Sequence, residues 1–485
     1  MTAIRKNILL NAVNTVTSVL FPVITFPYAA RVLMPEGIGT ISFLNGIVSY
    51  IVLVSSLGIP LYAVKKIASV RDNEEVRNQL TVAILALGFA LCIIGYVIVV
   101  ILANIVPEIH EQSKIFYILS ISILFTTIGA EWFYQAVEDF KFITTRAVFV
   151  RTAAAIALFL FVRTPQDLVP YAFITVASTI GNNILNFRHL RKYNIFDFAR
   201  IKELTYSDII FHLKPSLIVF SVSAVSSIYL SLNSVMLGFM STEVQVGYYT
   251  AASKITQIAI MLVSSVGIVL LPRMSNLVAT GNKDEFKRIS EKSLKVSLIA
   301  SLPLVAGTVV LCAPIISVFC GDDYRPSADM LAVCAPTVFL SSLSSLIGIR
   351  ILYSCDKINI VVWSACGGAI ANILLNILLI PEYEGLGAAF SFTVAELIVL
   401  AIQLALGRKY LPFRISSIFQ PKYYIATFIM VAAILPLLPR LRGSVILCLS
   451  IIPACGATVY LITLLALRDN FTIEILKGFL HRSHK

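Results

Sequence analysis

The sequence predicts an all-α, polytopic membrane protein with about fourteen membrane-spanning helices, and three observations carry that reading. Of its 485 residues 58% are hydrophobic and only 13% charged, with a mean hydropathy of +0.89, whereas a soluble chain carries about 25% Asp, Glu, Lys and Arg. Charge-free runs long enough for the bilayer core, about 20 residues, recur along the whole chain. Lys and Arg, finally, concentrate on one side of these runs, in every second connection between them. A water-soluble enzyme and a disordered chain are excluded, the latter by the apolar content. Transmembrane strands are excluded too, because the runs are too long and too evenly apolar.

Charge-free runs cover 7–30, 37–64, 78–107, 168–187, 215–242, 296–321, 330–349, 358–381 and 443–467. Runs bounded or interrupted by one or two charges lie at 115–130, 255–272, 385–407 and 423–439, and Ala153 to Val162 is wholly apolar. The spans are placed at about 8–33, 39–60, 80–104, 115–136, 143–163, 168–188, 214–238, 247–271, 293–317, 327–353, 358–380, 385–406, 422–439 and 443–467. With the N-terminus in the cytoplasm, 31 of the 38 Lys and Arg fall on the inner side and 6 on the outer, Lys254 lying within a span. Inner loops carry the excess of positive charge, so both termini are expected inside. The net charge of +12 then follows from topology, and nucleic-acid binding is not needed to explain it.

The short basic start and first apolar run have no small-residue cleavage site, which reads as a retained first helix. None of the five histidines falls inside a span, the eight cysteines show no metal-like spacing, and there is no phosphate-binding GxxxxGK[ST] loop. No cofactor, metal or nucleotide is expected, and no disulfide is implied.

A weak internal repeat runs at about 210 residues. Gly39-Thr-Ile-Ser42 opening span 2 matches Gly247-Tyr-Tyr-Thr250 opening span 8, and the exits Ile59-Pro60 and Leu271-Pro272 correspond. The following loops, Asn73-Glu-Glu-Val-Arg77 and Lys283-Asp-Glu-Phe-Lys287, also correspond, as do Tyr134 and Tyr353. The expected organisation is a six-helix lobe over 1–188, a cytoplasmic linker over 189–213, a second six-helix lobe over 214–410, and two extra helices with a tail over 411–485. Parallel repeats of this kind place a transport site between halves.

Polar residues inside the spans are the candidate functional groups. Span 1 carries Asn7, Asn11, Asn14, Ser18 and Thr25 on one helix face, and span 2 carries Ser42, Asn45 and Ser49. Span 8 carries Thr250, Lys254, Gln257 and Ser264, and span 7 a stripe of Ser216, Ser223, Ser227 and Ser234. Serine stripes are explained by helix packing. Asparagines and charges are not, since a charge in the bilayer interior costs about 3 kcal/mol or more and needs a cavity or a partner. Arg31 lies near the outer end of span 1. Lys254 is roughly 10 Å deep at 1.5 Å per residue. Glu396 has eleven uncharged residues on each side. Glu131 and Arg350 occupy equivalent places in spans 4 and 10 and could pair with each other. Arg151 and Lys214, near the inner interface, are weaker candidates.

Glu131-Trp-Phe-Tyr-Gln-Ala-Val-Glu-Asp-Phe-Lys141 resembles the span 4 to 5 signature of bacterial oligosaccharide flippases. Lys214-Pro-Ser-Leu-Ile, Tyr229, Val235-Met-Leu-Gly238 and Val246-Gly-Tyr-Tyr-Thr-Ala-Ala-Ser-Lys254 are similar to their span 7 to 8 region. Met34-Pro-Glu-Gly-Ile-Gly39, Leu271-Pro-Arg-Met-Ser275, Pro381 and Gly385-Leu-Gly-Ala-Ala389 also fit. The resemblance covers about residues 1–410. It is to the O-antigen and capsule repeat-unit flippases, within the superfamily that also holds lipid II flippases and multidrug antiporters. It implies a non-enzymatic inner-membrane protein with two six-helix lobes around a polar cavity. The cargo it implies is an undecaprenyl-pyrophosphate-linked oligosaccharide, delivered to polysaccharide polymerase machinery. One departure is Asn233, where the family often has Asp.

Such a cargo needs water and amides for its sugar and cations for its pyrophosphate. Arg31, Lys254 and, third, Arg350 are the expected pyrophosphate partners, and Asn11, Asn14, Asn45 and Gln257 the expected sugar contacts. With no nucleotide site, transport by alternating access would be driven by a gradient of H⁺ or Na⁺ or by consumption of product. Glu396, then Glu131, are the expected coupling carboxylates. A multidrug or organic-cation antiporter would share the fold but would need an acidic, aromatic site. A membrane glycan polymerase or ligase would need a long outer catalytic loop, and the outer loops near Pro107–Lys114 and Gly321–Pro326 are short.

Overall fold

A computed structural model describes the backbone of residues 3–195, 205–268, 270–441 and 444–474. Within those ranges the side chains at 3–13, 15, 16, 19, 218, 221–230, 265–268, 272 and 446 are outside the description. The described residues are predominantly helical, with no strand among them.

Among the described residues ten helical stretches are long and apolar enough to cross a bilayer, set against the fourteen spans expected. Two of the ten are double-length, 49 and 53 residues. At 1.5 Å per residue each would run to more than 70 Å, about twice the thickness of a bilayer core. Both turn instead at one non-helical residue: Met34 (φ 62°, ψ 172°) in α1 (Ala3–Ser56) and Glu384 (φ 48°, ψ −126°) in the helix Ile358–Gly407. Met34 precedes Pro35, and a residue before proline is pushed out of the α region.

The chain forms two compact units, 1–247 and 248–485. In the first, α1 is followed by α2 (Ile59–Ala68), α3 (Glu74–Ile105), α4 (Ser113–Gly129), α5 (Glu131–Ala136), α6 (Phe140–Phe161), α7 (Leu168–Leu190) and α8 (Leu213–Met240), and α9 (Glu243–Ile268) begins there. Asn73 caps α3 by accepting from the Val76 amide at 3.2 Å, with Glu74 and Glu75 complementing the helix dipole. Asp139 caps α6 through the Phe142 amide in the same way. Span 4 was expected to be continuous over 115–136; it breaks at Ala130, which adopts left-handed backbone (φ 41°). The break lets Trp132, Phe133 and Tyr134 fold into a core with Ile67, Ile84, Ile143 and Leu190. Most of the aromatic signature is therefore packing.

The second unit continues with α10 (Leu271–Ala279), α11 (Lys283–Val310), α12 (Cys312–Cys320), α13 (Ser327–Cys334), α14 (Pro336–Ser344), a π-helical segment Ser345–Leu352, α15 (Ile358–Gly407), α16 (Pro421–Ile434) and α17 (Val445–Ala466). Asn282 caps α11 through the Glu285 amide, the same device as Asn73 in the loop matched to it by sequence. Pro336 and the π-segment interrupt what reads as a uniform span over 327–353. The last two helices share the central core: Tyr423, Ala426, Met430, Tyr460 and Leu464 pack with Leu294, Leu298 and Leu343.

Just beyond α17, the fully buried Asp469 pairs with Lys422 and accepts from the Thr472 amide at 3.0 Å and its hydroxyl at 2.7 Å. Burial raises its carboxyl pKa, but the Lys422 and Thr472 hydrogen bonds outweigh that and hold it below the ordinary value. A depressed carboxylate adds stability that is fully present above its unfolded pKa, about 3.9, and is lost as pH falls through the folded value. Asp469→Ala is expected to cost about 2 kcal/mol at neutral pH, read as a lower Tm in detergent. The difference from the parent should shrink below pH 4. An unchanged Tm at pH 7 would show the pair to be idle.

Candidate transport site

Two glycines decide how α9 starts. A Cβ on Gly39 would run into the Glu243 carbonyl, and a Cβ on Gly247 into the carbonyl oxygen of Pro35, leaving no room for either. The two residues that open the repeated sequence motif thus face each other where the second half of α1 meets the start of α9. Thr40 Oγ1 donates to Glu243 Oε2 at 2.7 Å across the same junction. Close backbone approach of this kind is the use of small residues between membrane helices.

The junction aims α9 so that Ala251, Ala252, Thr256, Ala259 and Val263 are buried and Lys254 lies on the opposite, exposed face. Gln257 is half-buried one turn on, and its Nε2 donates to Ser253 Oγ at 3.3 Å. Further along the open face lie Met261, 49% exposed, and Leu262, 60% exposed. The face therefore grades from a cation and an amide to apolar surface within two turns. Within the first unit, Arg31 and Asn45 on α1 are likewise exposed.

The other expected site residues have local partners. Asn14 is held by Arg151, whose Nη1 donates to Asn14 Oδ1 at 3.1 Å and to Thr17 Oγ1 at 3.0 Å. Arg151 also lines a cavity of about 320 Å³ with Ser18, Thr25, Tyr171 and Ser178. Arg151 was a weaker candidate near the inner interface; the signal that could have raised it was the asparagine face of span 1, which needs a donor opposite. The sequence left open a pairing of Glu131 with Arg350; the carboxylate instead has a nearer partner in its own unit. Glu131 accepts from Arg146 Nη2 at 3.1 Å, because α6 returns beside the Ala130 break and brings in a guanidinium only 5% exposed.

Arg350 is 6% exposed and donates to the Ser264 carbonyl at 3.4 Å. Glu396 is half-buried and accepts from Ser341 Oγ at 2.7 Å. Its expected neighbours on the helix face are tied as well, Thr393 to the Val333 carbonyl at 2.7 Å and Gln403 to Ser364 at 3.3 Å. Asn233 is buried. The Asn11 and Tyr229 side chains lie outside the described residues. Among the described residues no group of His, Cys, Asp or Glu is placed to hold a metal ion.

The sorting is by exposure. Arg31, Asn45 and Lys254 are exposed and Gln257 partly so, Asn14, Glu131 and Glu396 are partly buried, and Arg350 is buried. A lysine on an uncovered face at bilayer depth requires water or an anion beside it. Such a face can hold a hydrated anionic head, and its apolar continuation can accept a lipid chain.

Known proteins fit this architecture. The chain is 24% identical over 413 residues to the "Putative O-antigen transporter" of Escherichia coli K12, covering 84% of this chain and 97% of that one. In structure it is similar to a lipid II flippase, MurJ, in an inward closed conformation, with a TM-score of 0.69, 20% identity, and 95% and 99% of the two chains covered. It is also similar to an inward-facing multidrug resistance MATE family transporter of the MOP superfamily, with a TM-score of 0.63, 14% identity, and 84% and 98% covered. At these identities the two structures speak for the fold alone. The MatE family model matches residues 218–378, and that of the family described as "Polysaccharide biosynthesis protein" matches residues 4–278. The latter spans more than half of the sequence, so this all-helical, multi-pass membrane chain belongs to the polysaccharide biosynthesis protein family.

Proposed function

We propose that this protein is a flippase for polyprenyl-pyrophosphate-linked oligosaccharides, moving completed repeat units across the bacterial inner membrane for surface polysaccharide assembly. The observation that carries the reading is the open face of α9, where Lys254 and Gln257 pass directly into Met261 and Leu262. A drug cation would be repelled by Lys254, whereas a pyrophosphate joined to a long apolar chain matches both ends of that face. Lys254 and Arg31 take the pyrophosphate, and Asn45 and Gln257 contact the sugar, with Asn14 and Asn11 further along the path.

Fourteen spans in two six-helix repeats, 1–188 and 214–410, joined by 189–213 and followed by 411–485, place both termini in the cytoplasm. Glu396, deep in α15 and accepting a hydrogen bond from Ser341 on α14, is the carboxylate for H⁺ or Na⁺ coupling. Glu131, already neutralised by Arg146, is the weaker choice. Polysaccharide polymerase machinery consumes the product on the far side.

The test is deletion of the gene in the producing bacterium, followed by extraction of polyprenyl-linked oligosaccharide and assignment of its leaflet. Completed repeat units should accumulate on the cytoplasmic face and surface glycan should be lost. Unchanged surface glycan with no intermediate, in a strain without a second flippase gene, would refute the reading and bring the antiporter forward.

A further inference from the structure

A second polar feature, a cavity of about 250 Å³, lies within the 248–485 unit, lined by Arg273, Glu285, Arg288, Lys292, Ser293 and Arg350. Its rim is charged and exposed. Arg273 and Arg288 share one carboxylate, Glu285, at 3.1 and 2.8 Å, and Lys292 pairs with Glu474 at 3.0 Å. The Arg288 hydrogen bond, with the charges of Arg288 and Arg273, holds the Glu285 carboxyl below its ordinary range, so it counts as an anion. Four cations stand against two carboxylates, leaving an excess of positive charge around one small cavity.

Its floor contains two buried groups that are poorly satisfied among the described residues. The Arg350 guanidinium makes one long hydrogen bond, 3.4 Å to the Ser264 carbonyl, although the side chain is 6% exposed. Ser293 is 4% exposed, and its hydroxyl has no hydrogen-bond partner among the described residues. A buried hydroxyl left unpaired is costly, so a ligand oxygen in the cavity would be favoured. Arg350 also sits in the π-helical segment Ser345–Leu352, a departure from α geometry frequently found at functional sites.

The charged first turns of α11 form the polar end of a helix long and apolar enough to cross a bilayer, the end that would meet lipid phosphates. Basic pockets between membrane helices at that level recognise anionic head groups, and guanidinium groups match phosphate oxygens with paired hydrogen bonds. We propose that this cavity binds a phosphate-bearing head group, with Arg350 and Ser293 contacting it from the floor and Arg273, Arg288 and Lys292 from the rim. The site is separate from the open face of α9 and does not depend on the cargo assigned to that face. The phosphate comes either from an anionic membrane phospholipid or from a polyprenyl carrier.

The experiment is native mass spectrometry of the purified full-length protein titrated with phosphatidylglycerol, with phosphatidylcholine, and with farnesyl pyrophosphate as a competitor. Phosphatidylglycerol should bind at least ten-fold more tightly than phosphatidylcholine, and Ser293→Val and Arg350→Met should each remove that preference. Arg273→Gln with Arg288→Gln, both on the exposed rim, should weaken it even where Arg350→Met fails to fold. Displacement by farnesyl pyrophosphate at equal concentration identifies the carrier as the source, and its failure to displace identifies the phospholipid. Equal retention of the two lipids by the parent protein, or a preference unchanged in the folded Ser293→Val and rim variants, would overturn the proposal. Neither result would touch the flippase reading, because that reading is scored on glycan export.

Discussion

Lys254→Ala is expected to abolish surface-glycan export at native expression. The lysine stands on an exposed helix face, so its removal leaves no cavity and no orphaned partner among the described residues. Protein level and Tm should therefore match the parent. What is lost is a cation for the pyrophosphate: a hydrogen bond to a charged group contributes about 1.5–3 kcal/mol, which is roughly a ten- to hundred-fold loss in apparent affinity. Lys254→Arg, which keeps the charge, should restore most of the export, while Lys254→Gln should not. The measurement is surface polysaccharide in the complemented deletion strain, normalised to membrane-inserted protein. Full export by Lys254→Ala would remove the residue from the site.

Gly247→Val should have the opposite signature, little folded protein. A Cβ at that position has no room beside the Pro35 carbonyl, and the obstacle is backbone that cannot swing aside. Relief requires the start of α9 to move away from α1, which breaks the Thr40–Glu243 hydrogen bond and opens the facing contact at Gly39. Overpacking costs about 1–3 kcal/mol where side chains can shift, and more where they cannot. The expected result is a membrane level at least several-fold below the parent, with a broadened size-exclusion profile for what remains. Thr40→Val, which removes only the hydrogen bond, should be much milder. Normal yield and elution of Gly247→Val would mean that the α1–α9 junction tolerates separation.

The two substitutions mark what the sequence disclosed and what it did not. Apolar runs and the charge asymmetry sufficed for an all-helical membrane chain, because hydrocarbon leaves the backbone no alternative to internal hydrogen bonding. Lys254 was visible for the same reason: a charge in the middle of an apolar run is costly enough to stand out. Turns inside helices were harder to read. Pro35 hints at the break at Met34, but nothing around Ala130 sets it apart from ordinary span residues. That break decides which guanidinium reaches Glu131. The resulting Arg146 partner lies fifteen residues away on the next helix, whereas matching by repeat position suggested Arg350.

The cationic cavity was hidden for a different reason. Arg273, Glu285, Arg288 and Lys292 read as ordinary inner-loop charges, and Ser293 as a packing serine. Arg350 is more than fifty residues further on, and only the fold brings its guanidinium beside that serine. Likewise, Asn14 and Arg151 looked like a sugar contact and an interfacial charge until α1 and α6 placed them within hydrogen-bonding distance. Residue type marked which positions were expensive in a membrane; which of them were already partnered depended on tertiary approach.

The central claim is tested most directly with purified protein in liposomes that carry a radiolabelled polyprenyl-pyrophosphate oligosaccharide in both leaflets. A membrane-impermeant glycosidase added outside reports the exposed fraction. The parent protein should render essentially all of the glycan cleavable, whereas Lys254→Ala, reconstituted at equal density, should leave the inner half protected as in protein-free vesicles. If the inner half stays protected with folded parent protein under an imposed H⁺ or Na⁺ gradient of either direction, the protein does not flip lipid-linked oligosaccharide and the account is wrong.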